Sequence, residues 1–326
     1  MSRFRSAAVL VTGLALIGLP AVTAQSASAA PVTAVGAVPC VNGAAAHLAP
    51  SARKIPGWRE HGDTTNVTQA DLNALPAQET RRSFVTREVV PRLPSHVGIP
   101  TYVHVIKGAH KGERKSIGPR RVRKLISTLN NGMAGNQNQL SAATRYRFTL
   151  KKTSYTKRDG WYHAYFNGPR DKRMKRALHV GNARTLNIYI NGGGPSGDQP
   201  ALGWSRFPWQ YAGAKRLDGV SVNVAALSGG RAVGYNLGDT VIHETGHWLG
   251  LFHTFQGGCG PQGDLVADTA AEAEPSFYCE TTRDTCTAPG RDPVRNFMDY
   301  SEDACMNLLT RGQVQRMDTA FMKWRM

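Results

Sequence analysis

Beyond its first thirty residues, this sequence of 326 residues lacks any uninterrupted apolar run of about 18 residues, the minimum for a membrane-spanning helix. It also lacks an internal repeat, a long low-complexity tract and a C-x-x-C pair. These absences argue against a repeat architecture and make a cysteine-based zinc knuckle a weak alternative. We therefore expect a soluble globular protein whose function depends on residues other than its cysteines.

The first thirty residues have the arrangement of a secretory signal peptide. Arg3 and Arg5 precede an apolar run at 7–19, and small residues follow at 27–30. The apolar run is too short to span a membrane. We predict that residues 1–30 are a signal peptide, that the protein is secreted to the extracellular space, and that no membrane span remains after removal.

The rest of the chain divides into a leader and one folded domain. Residues 31–90 are rich in Ala, Pro and polar residues and lack sustained periodicity, which is typical of a propeptide. Residues 91–326 are numerous enough for one catalytic domain with a sizeable core. Alternation at 100–106 predicts a strand, and apolar residues at helical spacing after Pro119 predict a helix.

Further elements are predicted toward the C-terminus. Apolar runs at 186–190 and 219–226 favour buried strands. Thr310 and Gln313 form a capping box before a final amphipathic helix. The mixture indicates an α/β (α+β) domain with a twisted mixed sheet and a loop-rich C-terminal half.

The stretch at 243–253 reads H-E-x-x-H-x-x-G-x-x-H. Residues four apart lie on one face of a helix, so His243 and His247 can direct both imidazoles at one Zn²⁺ ion. Gly250 permits a turn with positive φ that returns His253 as the third ligand. Glu244 then faces the fourth position, where water binds, as a catalytic base.

These histidines have two other interpretations. An amphipathic helix with surface histidines would explain the helical spacing but leaves Gly250 and His253 unexplained. A glutamate could replace His253 as the third ligand, and Glu272 and Glu274 are the nearby candidates. Both glutamates stand beside Pro275 in a loop-like segment, so we favour His253.

The sequence resembles the metzincin clan of metallopeptidases, and within it the pappalysin (cytophagalysin) family. The long zinc motif, the segments at 266–269 and 309–313, and the Met-turn at 296–301 carry this resemblance. It implies a metzincin-like fold, with Met298 as a hydrophobic floor under the histidines. It also implies that Tyr300 stabilises the oxyanion and that residues 201–207 form an edge strand that pairs with substrate.

Five cysteines are present, and four of them follow the zinc motif. Secretion favours disulfides among Cys259, Cys279, Cys286 and Cys305, which allow three pairings. The resemblance implies Cys259 with Cys286 and Cys279 with Cys305. Cys40 in the leader is then either a cysteine switch that keeps the enzyme latent, or a free or intermolecular cysteine.

An oxygen-rich loop after the zinc motif suggests a second metal. Asp264, Asp268 and Thr269 supply the oxygen ligands that Ca²⁺ prefers, and the family often binds calcium here. The alternative is a polar loop without an ion.

Basic residues outnumber acidic ones, 40 to 23, and many lie between residues 107 and 184. This surface could bring the protein to an anionic cell-surface polymer, although a solvated face is the simpler explanation. No nucleic-acid-binding signature accompanies the charge, so we expect no specific nucleic acid partner. Basic residues of this region include Arg120, Arg121, Arg123, Lys124, Lys172, Arg173, Lys175 and Arg176.

The sequence therefore predicts a secreted, zinc-dependent endopeptidase acting on protein or peptide substrates. Two alternatives remain. One is a secreted basic protein that binds polyanions and has a latent zinc site. The other is a zinc hydrolase acting on small molecules, which would need a closed pocket rather than an open cleft.

Overall fold

A computed structural model describes residues 93–110, 117–193 and 201–326. The predicted signal peptide, the predicted propeptide and Cys40 lie outside the described residues. Among the residues that are described, no helix combines the length and the apolar character needed to cross a membrane.

The centre of the fold is a mixed sheet of five strands. In space their order is β2-β1-β3-β5-β4, with β4 antiparallel to β5 and the other neighbours parallel. Strand β4 is therefore an edge strand with one hydrogen-bonded neighbour. The strands are β1 (Val97–Lys107), β2 (Tyr146–Lys157), β3 (Leu186–Asn191), β4 (Gly203–Ser205) and β5 (Val220–Asn223).

Helices cover both faces of the sheet. The described helices are α1 (Pro119–Met133), α2 (Asp159–Tyr162), α3 (Pro169–Leu178), α4 (Tyr211–Ala214), α5 (Thr240–Trp248) and α6 (Arg311–Trp324). Short 3₁₀ turns at Pro208–Gln210, Lys215–Leu217 and Val224–Ala226 join them to the strands. On the front face, Val122 and Leu129 of α1 pack in one core with Ile188 of β3, Val222 of β5 and Trp248 of α5.

The back face of the sheet is more polar. In β3 the apolar Leu186, Ile188 and Ile190 belong to the front core, whereas Tyr189 packs with Met174 of α3 on the back. Both faces of β3 are covered, which explains why all six of its residues are buried.

Most predicted elements are confirmed, including the first strand, the helix after Pro119, and the capping box of Thr310 and Gln313 at the start of α6. The strand predicted at 219–226 ends earlier, at Asn223. Strand β2 was not predicted, because its C-terminal part is largely exposed and carries little apolar alternation. Its eleven-pair parallel ladder with β1 shows that tertiary pairing creates this strand.

The prediction that Lys175 lies on the basic surface is wrong. Its side chain is fully buried, 3.6 Å from the Asp171 carboxylate and 5.6 Å from the centre of the Tyr189 ring. Burial, the larger effect, lowers the pKa of Lys175, while the nearby Asp171 raises it. On the same helix Arg173 and Arg176 are exposed, as predicted for a basic face.

From Leu249 to Thr310 the described chain forms no helix or strand beyond one isolated bridge between Asn296 and Leu308. Two disulfides join Cys259 to Cys286 and Cys279 to Cys305, the pairs that the resemblance implied. They close loops of 27 and 26 residues in this half of the domain. Disulfides thus replace a hydrogen-bonded ladder as the restraint on this segment.

Candidate metal centre

Helix α5 carries the first part of the predicted metal motif, and all of its residues are buried. Asp303 holds its N-terminal end. Asp303 Oδ2 accepts hydrogen bonds from the backbone N–H groups of Leu237 and Gly238 at 2.8 and 3.0 Å. A carboxylate is favourable at this end, where unpaired N–H groups concentrate. Asp303 therefore fixes the loop that leads into α5.

The turn after α5 returns the chain to the same site. His243 and His247 lie four residues apart on one face of the helix. Gly250 has a φ of 102°, a conformation that glycine adopts without strain. A Cβ there would also lie 2.7 Å from the Cβ of Ala320 in α6. This turn brings His253 beside the two helical histidines.

The three imidazoles converge through their Nε2 atoms. His247 Nε2 lies 3.1 Å from the Nε2 atoms of both His243 and His253. Within the described residues, this is the only group of three or more histidine, cysteine or carboxylate side chains whose ligand atoms all lie within 4.8 Å of one another. All three rings are buried.

Hydrogen bonds on the opposite ring nitrogens decide which Nε2 atoms are lone-pair donors. His243 Nδ1 lies 2.7 Å from the carbonyl oxygen of Phe297, and His247 Nδ1 lies 2.7 Å from that of Leu251. A carbonyl can only accept, so each Nδ1 carries a proton, and in the neutral imidazole Nε2 is then the nitrogen that presents a lone pair to a metal. Two lone pairs 3.1 Å apart repel unless a cation lies between them. The residues therefore fit a divalent metal such as Zn²⁺.

Glu244 is fully buried and packs against the edge strand. A Cβ on Gly203 of β4 would lie 2.8 Å from both Cγ and Oε1 of Glu244. The lack of a side chain at position 203 thus makes room for the carboxyl group. Strand β4 and the predicted catalytic base are direct neighbours.

Met298 lies beneath the helix. Its Sδ contacts the position that a side chain on Gly246 would occupy, so α5 rests directly on this buried methionine. The backbone N–H of Met298 donates to Asn296 Oδ1 at 2.9 Å, which holds the turn. The structure therefore brings Met298 under the histidine-bearing helix.

Tyr300 lies beside the imidazoles of His253 and His243. Its ring centre is 4.9 Å from that of His253 and 5.9 Å from that of His243. Its side chain is almost fully buried. This aromatic packing holds the phenol next to the converging nitrogens.

Neither alternative carboxylate belongs to the group. Glu272 Oε2 accepts from the hydroxyl of Thr254, which follows His253, and Glu272 Oε1 accepts from Arg283. Burial first, and neighbouring carboxylates second, raise the pKa of Glu272 to about 9. Glu274 is largely exposed, 3.4 Å from Arg283. Glu272 therefore supports the segment behind His253.

The residues predicted to bind calcium are spread over local contacts. Asp264 Oδ1 accepts from the N–H of Val266, and Asp268 Oδ2 accepts from the N–H of Gly312 in the first turn of α6. Thr269, the residue after Asp268, is buried. Asp264 and Asp268 do not belong to a compact group of three acidic or histidine ligands among the described residues. Calcium binding stays a prediction.

Sequence reasoning missed several neighbours of the site. Phe255 stacks on His253 with ring centres 4.7 Å apart, and the edge of Phe207 meets His247 at 5.4 Å. Gly203 was not recognised as the residue that accommodates Glu244. Phe255 stands two residues beyond the motif, so its sequence position was a usable signal, whereas Gly203 gave none.

Three converging imidazoles, a buried glutamate on the same helix, and an adjacent antiparallel edge strand have the arrangement of a hydrolytic metal centre. Comparisons with known proteins identify the family. Residues 168–322 match the family described as pregnancy-associated plasma protein-A. The chain belongs to this pappalysin family of metzincin-type peptidases and is a zinc metalloendopeptidase.

Individual relatives agree with this assignment. The chain is 38% identical over 233 residues to an extracellular metalloprotease of Pyricularia oryzae, covering 71% of this chain and 77% of that protein. It is 36% identical over 238 residues to extracellular metalloprotease 1 of Coccidioides posadasii, covering 72% and 80%. Mature mirolysin of Tannerella forsythia, solved with a cleaved peptide, matches with a TM-score of 0.58 and 27% identity, over 70% of this chain and 93% of that one.

Proposed function

We propose that this protein is a secreted endopeptidase in which His243, His247 and His253 hold Zn²⁺ and Glu244 is the general base. The convergence of the three Nε2 atoms, two of them with protons fixed on Nδ1, carries this proposal. The bound zinc would supply a Lewis acid that polarises the scissile carbonyl and makes water a stronger nucleophile near neutral pH.

Glu244 would take the proton of the attacking water and pass it to the leaving amine. Its position supports this role, because it follows His243 on the same helix and packs against the edge strand. Tyr300 would donate a hydrogen bond to the oxyanion, supported by its packing against His243 and His253.

The substrate would lie extended along β4. The strand has β5 on one side only, so its other edge can pair with a peptide backbone. Such pairing positions a polypeptide and favours protein or peptide substrates over small amides. Relatives named extracellular metalloproteases support the same substrate class and secretion.

The charge of the peptide-binding region argues against a strong preference for Arg or Lys beside the cut. In some relatives an acidic residue stands just before the cysteine that follows the Met-turn, and here that residue is the exposed Ala304. Asp303 is close in sequence, but its carboxylate is engaged by the N–H groups of Leu237 and Gly238. Glu302 lies beside Gly234.

Processing and additional partners complete the proposal. Residues 1–30 would direct export, residues 31–90 would be removed, and Cys40 would hold the precursor latent. Ca²⁺ near Asp264, Asp268 and Thr269 and an anionic cell-surface polymer remain proposals based on sequence. Cys40→Ala precursor should be active without processing, and a precursor as latent as the wild type would argue against the switch.

The decisive experiment compares processed wild type with Glu244→Ala on a mixed peptide library, reading cut sites by mass spectrometry. Glu244→Ala should retain zinc, measured by elemental analysis, and lose nearly all cleavage. Glu274→Ala is a matched control, because that glutamate is largely exposed, and it should cleave normally. A chelator should abolish wild-type cuts and trace Zn²⁺ should restore them.

Two results would contradict the proposal. Retained cleavage by Glu244→Ala would show that Glu244 is not the general base. Absence of cuts by zinc-loaded, fully processed wild type would favour a binding protein or a small-molecule hydrolase.

A further inference from the structure

Strand β4 is too short to hold its own position by backbone pairing. It has three residues, which pair with β5 as Gly203 with Val222, Trp204 with Ser221 and Ser205 with Val220. Its opposite edge is the one proposed to pair with substrate. A strand of this length with a single neighbour needs additional side-chain anchors.

Trp204 supplies one anchor on the back face of the sheet. Gly203 faces Glu244 on the front, so the next side chain along the strand points to the back. Trp204 is fully buried, and its Nε1 donates a hydrogen bond to Asp171 Oδ1 at 3.2 Å. Asp171 belongs to the first turn of α3. This hydrogen bond ties the middle residue of β4 to a helix.

Asp171 is itself held in place. Its Oδ2 accepts from the backbone N–H of Asn167 at 3.2 Å, and its Oδ1 lies 3.6 Å from Lys175 Nζ one turn later. Both charged side chains are fully buried. A hydrogen bond to a buried carboxylate is stronger than one between neutral groups, so Asp171 is a firm attachment point.

Arg206, just after the strand, supplies the second anchor. Its Nη2 donates to Asn167 Oδ1 at 2.8 Å, and its guanidinium lies 5.6 Å from the centre of the Phe166 ring. Asn167 has a φ of 55°, the left-handed conformation that asparagine tolerates better than most residues. The start of α3, with Asp171, and the turn just before it, with Asn167, therefore hold the two residues that bracket Ser205.

We propose that the first turn of α3 and the turn just before it act as a lock on the substrate-pairing strand, formed by Asn167, Asp171, Trp204 and Arg206. These four are positioning residues, because the hydrogen bonds that form the lock involve neither the metal ligands nor Glu244. The proposal rests on the proposed function, because it assumes that peptides pair with β4. It adds that affinity for extended peptides is set by α3, on the opposite face of the sheet from Glu244.

The lock predicts an effect that depends on substrate length. Backbone hydrogen bonds weaken quickly with misplacement, so a displaced β4 loses affinity in proportion to the residues that pair with it. A dipeptide amide that reaches only the residues next to the cut should be nearly unaffected. General destabilisation would change both substrates alike.

Two lock variants and two matched controls test this. Trp204→Phe removes the indole donor, and Arg206→Ala removes the second anchor at a partly exposed position. Tyr146→Phe and Arg145→Ala are the controls. They remove hydrogen bonds or an ion pair to Asp318 near the opposite edge strand β2.

KM and kcat are measured for a decapeptide and for a dipeptide amide sharing one scissile bond, together with zinc content and Tm. We expect the decapeptide KM to rise about tenfold in Trp204→Phe and severalfold in Arg206→Ala, since a charge-assisted hydrogen bond is lost. We expect the kcat, the zinc content and the dipeptide KM to change less than twofold. Equal effects on both substrates, or effects equal to those of the controls, would overturn the lock.

A binding assay separates this proposal from the proposed function. A labelled decapeptide is first selected from a library by its binding to Glu244→Ala. Fluorescence anisotropy then measures the Kd of this decapeptide for each lock and control variant in the Glu244→Ala background. A tenfold weaker Kd with Trp204→Phe supports the lock even if the wild type cleaves nothing. Unchanged Kd overturns the lock while leaving peptidase activity intact, and failure to select any decapeptide also overturns it.

Discussion

A methyl group at position 203 would collide with the proposed general base. The Cβ of Gly203→Ala would lie 2.8 Å from Cγ and Oε1 of Glu244 and 2.9 Å from the carbonyl oxygen of Ser221. Ordinary van der Waals contact begins at 3.4 Å. Either the carboxyl group or the strand must therefore move by about 0.6 Å.

The size of this displacement gives the expected loss. A misplacement of about 1 Å in a catalytic group costs on the order of a hundredfold in rate, because the proton donor and acceptor no longer align. We expect kcat/KM of Gly203→Ala to fall roughly tenfold to hundredfold, which is about 1.4 to 2.7 kcal/mol in the activation free energy. Zinc binding should persist, since the three atoms nearest this Cβ belong to Glu244 and Ser221 and not to an imidazole.

The assay is kcat/KM on a chelator-sensitive fluorogenic peptide, with zinc content measured on the same samples. Gly98→Ala in β1 is the matched control, because a Cβ there meets no heavy atom within 4 Å. Wild-type kcat/KM in correctly folded Gly203→Ala would refute the argument that this glycine makes room for Glu244. Equal losses in both variants would attribute the effect to glycine replacement in the sheet.

Three further predictions concern the supports of the site. Burial first, and Asp299 second, raise the pKa of Glu272 from 4.5 to about 9. Between these values the folded state keeps a proton that the unfolded state releases, so stability falls as pH rises through this window. Chemical denaturation at pH 5, 7 and 9 should show this slope flattened in Glu272→Gln, and an unchanged slope would contradict the assignment. The double change Cys259→Ser with Cys286→Ser opens a loop of 27 residues and should lower the unfolding free energy by about 3.5 kcal/mol. Denaturant unfolding without reductant measures this change. A decrease below about 1 kcal/mol would contradict the prediction. His253→Ala should lose zinc at chelator concentrations that leave the wild type loaded, because one of three converging nitrogens is gone; equal retention of zinc in competition titrations would argue that His253 is not a ligand.

Much of the site was predictable because its residues are close in sequence. The helical repeat places His243 and His247 together, and a glycine at position 250 predicts the turn that returns His253. The capping box of Thr310 and Gln313 was equally legible, since it is a contact within four residues. Local geometry determined these features, and the tertiary structure only oriented them.

Other features depend on partners far away along the chain. Strand β2 exists because β1 pairs with it over eleven positions, although its own pattern of side chains is weak. The sequence pattern predicts that Lys175 is a surface cation, whereas the fold buries it beside Asp171 on the back face of the sheet. A side chain's burial is decided by which element packs over it, and helical periodicity alone does not reveal that.

The sequence by itself determined the metal chemistry, because a zinc site of this kind is encoded in eleven consecutive residues whose spacing follows from helix geometry. Only the tertiary structure decided how the edge strand lies against Glu244 and against the helix behind the sheet. Gly203 contacts Glu244, and Trp204 contacts Asp171, across 41 and 33 residues of chain. Such contacts arise when the sheet and its helices pack together, so they carry no signal in the local sequence.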